Sequence, residues 1–198
     1  MATNEVLITQ GTQLLFADAT DFPNSGDGPP TTAANDIRRT TPTPTKVQID
    51  CTALGAAGGA RQSAKTADLA RFGTEIVEWW NCKACIEHAT APAAGETVDF
   101  FWNSSPNSTA ATGNMGGASG SDATYTAALE SQMDFIGSLI LGTPTTNIGD
   151  IGNFRMTERF GSLIVINQSA ADLFAAAGNM DETHIVLNPL IPDIQAAT

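Results

Sequence analysis

Gly161-Ser162-Leu163-Ile164-Val165-Ile166-Asn167 is the stretch that decides the fold. A short unbroken apolar run, rich in β-branched residues and bounded by Gly and Asn, is a strand buried in a core. Its neighbours read the same way. Phe154 to Arg159 is a short strand candidate, and His184 to Ile191 forms a last strand whose Pro189 is expected to push its end to a sheet edge. Upstream, Met133 to Ile140 reads as strand, and Gly142-Thr143-Pro144 closes it. Glu96 to Trp102 alternates with period two and places Val98, Phe100 and Trp102 on one face. Glu75-Ile76-Val77-Glu78-Trp79-Trp80 favours strand by its aromatic and β-branched content, and Lys46 to Cys51 alternates as a half-buried strand. Val6-Leu7-Ile8 and Leu14-Leu15-Phe16 flank the turn residues Gln10-Gly11-Thr12.

The sum is about eight to ten short strands separated by turn signals, with no sustained helical period. The expected fold is all-β: an antiparallel β-sandwich of jelly-roll-like type, with long loops and an extended N-terminal arm. Residues 1–45 carry the first strands and the Pro/Thr-rich arm, and residues 46–198 form the sandwich domain. The arm, Ala19 to Thr45, contains Asn24-Ser25-Gly26-Asp27-Gly28-Pro29-Pro30 and Thr41-Pro42-Thr43-Pro44, which is loop or extended backbone. Gly55 to Thr66, with Arg61-Gln62-Ser63-Ala64-Lys65 as its polar rim, reads as a loop, as does Asn103 to Ser121. Asp172 to Ala177 reads as a helical turn.

Composition narrows the function classes. Of 198 residues, 42% are apolar, enough for a real core, and only 15% are charged, against roughly 25% in ordinary soluble domains. The surface is therefore Thr, Ser, Asn, Gln, Gly and Ala. Short side chains lose little entropy on ordering, which suits close subunit contact as well as a neutral monomer surface. The net charge is −12, and the nine basic residues form no cluster. Neither nucleic acid nor an anionic membrane is an expected partner. Met1-Ala2-Thr3-Asn4-Glu5 lacks the basic n-region of a secretory signal, and the three cysteines do not suggest a disulfide framework.

Candidate chemistry is sparse. Cys82-Lys83-Ala84-Cys85 has redox spacing, and Cys82, Cys85 and His88 with Cys51 or His184 have the donor types of a zinc site. In a strand, however, residues three apart point to opposite faces, so buried thiols are expected and no metal or other cofactor is assigned. Glu75, Glu78, Asp99, Asp134 and Glu158 supply carboxylates for a glycosidase pair without any sign that two converge. Asp18, Asp21, Asn24 and Asp27 lack the calcium-loop spacing. The glycine-rich Gly113 to Gly120 has no phosphate-loop Lys-Ser/Thr and reads as a flexible loop. No catalytic residue is assigned and no enzyme activity is expected. Trp79 and Trp80 must point to opposite sides of a strand, which leaves each open as a core residue, a partner contact or a sugar platform. Trp102 is expected in the core.

Met133-Asp134-Phe135-Ile136-Gly137-Ser138-Leu139, then Glu158-Arg159-Phe160-Gly161-Ser162-Leu163-Ile164-Val165-Ile166-Asn167-Gln168-Ser169, then His184-Ile185-Val186-Leu187-Asn188-Pro189-Leu190-Ile191-Pro192-Asp193 form a succession over residues 125–195. It resembles small virion structural proteins of tailed bacteriophages, in which an R-[FY]-G-x-x-x-[VI]-x-N-x-[ST] strand precedes a final strand ending in Pro and an acidic residue. The motif describes strands and turns and no active site. The resemblance implies a non-enzymatic jelly-roll-like subunit located in the virion. A capsid decoration or cement protein bound to the major capsid protein, as a homo-oligomer with a trimer favoured, is the first expectation. A tail fibre, adaptor or baseplate subunit and a carbohydrate-binding module are the alternatives. The expected partner contacts are Phe22, Ile37, Arg38 and Arg39 of the arm, with Trp79 and Trp80.

Overall fold

The computed structural model describes residues 6–18, 33–52, 54–71, 75–126, 130–173 and 182–194, with the backbone alone for 6–10, 70–71, 75–76 and 192–194. Thirteen strands are present among them: β1 (Val6–Gln10), β2 (Leu14–Ala17), β3 (Thr45–Gln48), β4 (Gly59–Gln62), β5 (Ala70–Arg71), β6 (Glu75–Ile76), β7 (Trp79–Glu87), β8 (Thr97–Ser105), β9 (Ala123–Thr124), β10 (Asp134–Ile140), β11 (Thr146–Arg155), β12 (Phe160–Asn167) and β13 (His184–Ile194). One sheet runs β11-β7-β13-β2-β3, with β1 also paired to β13; the other runs β10-β8-β12-β4-β9. β5 and β6 form a small separate pair.

The two sheets pack face to face around one apolar core. Trp80, Cys82, Ala84 and Ile86 of β7 and Ile185 and Leu187 of β13 meet Val98, Phe100 and Trp102 of β8 and Leu163 and Val165 of β12. Alternation sends the intervening residues outward, and several of these are buried too. Ile164 and Ile166 pack with Ala60, Ala118 and Tyr125, under the segment that follows β8. Leu15 and Val186 on the other sheet lie under Ile37 of the arm. A sheet covered on both faces reads as continuous apolar sequence, which is why Leu163 to Ile166 is unbroken.

The covering segment over the second sheet is tied down. The Lys65 ammonium donates within 2.8–3.0 Å of Ser105 Oγ and the carbonyls of Asn107, Thr109 and Thr112. The Asn114 amide donates to the Ala110 and Ala118 carbonyls, and the Tyr125 hydroxyl to the Gly116 carbonyl at 2.6 Å. Gly113 to Gly120, expected to be a flexible loop, is a fixed cover whose glycines serve positive φ angles and close approach.

Four features depart from the sequence reading. β3 pairs with β2 in parallel, Leu14 opposite Thr45, so the first sheet is mixed where an antiparallel one was expected; the long connection between them is what a parallel crossover requires. β4 lies inside the Gly55–Thr66 stretch taken for a loop, because pairing to β12 specifies it where its own residues do not. Pro189 sits in a central strand. β13 pairs with β2 through Leu187 and with β1 from Leu190, so Pro189 falls at the changeover where the ladder is interrupted. β11 begins at Thr146, well before Phe154. Its pattern is broken by glycines because β10 and β11 meet through facing bulges. A Cβ on Gly149 would lie 2.6 Å from Leu139 Cδ1, and one on Gly152 would lie 3.0 Å from the Ile136 carbonyl. Bulged edges of this kind resist pairing with other chains.

Candidate functional site

On β7, Trp80 faces the core, so Trp79, Asn81, Lys83 and Cys85 face outward. Register extends this face across three strands. Arg155, Trp79 and Leu190 form one row; Asn153, Asn81 and Asn188 the next; Asp150, Lys83 and Val186 the third; Ile148, Cys85 and His184 the fourth. The second row is all amide and the third is charged on β11 and β7, while on β13 the arm covers Val186 and His184.

The arm docks through its backbone. The Ile37 N–H donates to His184 Nε2 at 3.2 Å, and His184 Nδ1 lies 2.8 Å from the Glu182 carbonyl. That pairing makes Nδ1–H the donor and leaves Nε2 as acceptor, so His184 is neutral. Burial pushes its pKa down to about 4, against the opposing pull of the Glu182 carbonyl. The Asn35 amide donates to Glu182 Oε2 at 3.0 Å. Gln13 bridges arm and sheet: its Oε1 accepts from the Arg39 N–H at 3.0 Å, and its amide donates to Asn188 Oδ1 at 2.7 Å. Arg38 closes on Asp36 with two guanidinium bonds of 2.9 Å. Burial works to raise the Asp36 pKa, but the Arg38 side-chain and backbone bonds outweigh it and hold the carboxyl below its usual value.

The docked arm makes one wall of a groove of about 340 Å³, with Ile37 and Arg39 above a floor that includes Asn81, Lys83, Asp150, Asn153 and Asn188. The Asn81 amide spends its two N–H bonds inside the floor, on Asp150 Oδ1 at 2.9 Å and Asn153 Oδ1 at 3.1 Å. Trp79, 49% exposed, stands in the row beyond, next to the Arg155–Glu78 ion pair at 3.1 Å.

The structure thus brings Ile37, Arg39 and Trp79 to one surface. Arg38 braces the arm internally, and Phe22 lies outside the described residues. Trp80 is buried, with its indole N–H donating to the Val77 carbonyl at 2.7 Å, so it is a core residue and not a contact residue. Trp102 is fully buried. Cys82 faces the core and Cys85 the arm side, and burial raises the Cys85 thiol to about 12 and Cys82 further, which keeps both protonated. No group of three or more metal-ligating side chains occurs among the described residues. Glu78 pairs with Arg155 at the first sheet, and Asp99 accepts from Ser138 Oγ at 2.6 Å on the second. Asp18 accepts from the Gln48 amide; Asp21, Asn24 and Asp27 lie outside the described residues. No described helix is long and apolar enough to cross a membrane.

No family model, curated protein or solved structure matches this chain. The site therefore stands on its own geometry. Sequence reading singles out Trp79 and the arm but not Asn81, Lys83, Asp150, Asn153 or Asn188, which line the same surface. The i, i+2, i+4 spacing of Trp79, Asn81 and Lys83 was the available signal. The contributions of β11 and β13 depend on pairing register, which is set by residues far apart in the chain.

A second surface feature lies at the β10–β11 edge. Phe135 is 57% exposed, Ile140 73% and Ile148 45%. Phe135 stacks obliquely on Phe101, with ring centroids 5.1 Å apart.

Proposed function

We propose that this chain is a non-enzymatic structural subunit of a tailed-bacteriophage virion, a capsid decoration or cement protein with a jelly-roll fold that binds the major capsid protein as a homo-oligomer, with a trimer favoured. The strand order carries the reading. Lettering β2, β4, β7, β8, β10, β11, β12 and β13 as B to I, one sheet runs G-D-I-B and the other F-E-H-C. That order, in which every successive pair but E and F changes sheet, supports the jelly-roll reading, a fold used repeatedly for shell subunits. Fold alone does not assign a role, so the surface matters as well. Phe135, Ile140 and Ile148 place large apolar side chains along one edge of a chain with few charges, as a subunit contact requires. The −12 charge suits a surface exposed outside a shell that encloses nucleic acid.

The test is attachment of purified protein to shells of the major capsid protein. Phe135→Asp combined with Ile140→Asp is expected to lower occupancy about tenfold or more, because apolar anchors dominate such contacts. Both side chains are largely exposed, so the fold is expected to tolerate the change. Unaltered occupancy would remove the β10–β11 edge from the attachment surface.

A further inference from the structure

We propose that the groove between the docked arm and β7, β11 and β13 binds an acidic glycan, with Trp79 as its stacking platform. The groove's polar inventory carries the inference. After the Asn81 bonds are made, Asp150 Oδ2, the Asn153 amide N–H₂, the Asn188 amide N–H₂ and the Lys83 ammonium have no hydrogen-bond partner among the described residues. Among the described residues Arg39 makes only its backbone N–H bond to Gln13 Oε1 and one long guanidinium contact, 3.4 Å, to the Gly11 carbonyl. Donors and an acceptor are thus interleaved on one floor. Sugar hydroxyls, which donate and accept at once, match that arrangement. Asn81 is braced from two sides and Asn188 is held by Gln13, so two of the amides are oriented before any ligand arrives.

The volume and the aromatic fit the same ligand class. A groove of about 340 Å³ is at the small end for a ligand site, which spans roughly 300–1,000 Å³. Trp79 shares the outward face of β7 with Asn81 and Lys83 and is half exposed, while its neighbour Trp80 is sealed in the core. An exposed indole beside a polar floor offers the apolar face of a pyranose a surface to stack on. The chain as a whole carries a net charge of −12. Within the groove the charge balance reverses: Arg39 and Lys83 face the single carboxylate of Asp150. The ligand that profits carries a carboxylate of its own, as uronic acid sugars do.

Titration of the full chain with oligogalacturonate and, separately, with neutral malto-oligosaccharide tests this, read by calorimetry and by tryptophan fluorescence. Trp79 is the sole tryptophan exposed to a ligand, since Trp80 and Trp102 are buried. Expected are binding of the uronate oligomer with a fluorescence change, weaker or no binding of the neutral one, and about tenfold weaker uronate binding in both Trp79→Ala and Lys83→Ala. Circular dichroism of both variants should match the parent, because both side chains are exposed. Binding of neither oligomer, binding of the neutral one alone, or uronate binding unchanged in either variant overturns the inference. The outcome does not depend on virion attachment, so a chain absent from particles would leave it standing.

Discussion

Replacing Trp102 with Ala is expected to lower the unfolding free energy by about 3–5 kcal/mol, the usual cost of emptying a large aromatic site. Trp102 comes from β8 of the second sheet and reaches the first. It meets Phe16 edge-on at 6.5 Å between centroids and Phe154 at 5.8 Å. It is fully buried, and its indole N–H has no hydrogen-bond partner among the described residues, so the loss is one of packing. The cavity has no simple way to collapse. Gly161 on the adjacent strand is there because the ring occupies the place of its Cβ, and a methyl group at that position would also stand 2.9 Å from the Asn103 carbonyl. Urea denaturation followed by far-ultraviolet circular dichroism measures the effect. A loss below about 1 kcal/mol would contradict the placement of Trp102 between the sheets.

The second large effect is acid destabilisation through His184. Its folded pKa is about 4, below the ordinary 6.5, because burial disfavours the charged ring. Between these values the unfolded chain takes up a proton that the folded chain refuses. The stability contributed by the neutral ring is therefore fully present above pH 6.5 and is lost progressively as pH falls toward 4, amounting to about 3 kcal/mol. The first structural consequence is local. A proton on Nε2 removes the acceptor for the Ile37 N–H, so the arm should loosen from Val186 and Leu15 before the sandwich opens. His88, also lowered chiefly by burial, acts in the same direction. Hydrogen exchange at Ile37 is expected to accelerate below pH 6.5 beyond its intrinsic pH trend relative to amides of β12, and His184→Gln to flatten part of the stability slope. Exchange at Ile37 that keeps pace with β12 across this range would show that the imidazole does not hold the arm.

How far these features were legible in the sequence depends on where their determinants lie. Leu163 to Ile166 and the Val98, Phe100, Trp102 alternation identify strands from local pattern, and both fall in the core as read. β4 and β11 were hidden because Gly59-Ala60-Arg61-Gln62 and Thr146 to Asn153 lack a strand-like pattern. The first is fixed by β12, and the glycines of the second answer the close approach of β10. Pro189 misled because its tolerance rests on the break between β1 and β2, a tertiary fact. The groove was the least visible feature. Its floor is assembled from three strands and its wall from an arm positioned by His184, and no single segment carries the set.

The central claim, a subunit that coats a phage shell, is tested most directly by counting. Quantitative mass spectrometry of purified virions, with peptides of this chain measured against those of the major capsid protein, gives the copy number. A stoichiometry comparable to the major capsid protein is expected for a decoration protein, whose attachment rests on many equivalent sites. A few copies per particle would move the subunit to the tail or neck, and complete absence from particles would contradict a virion role.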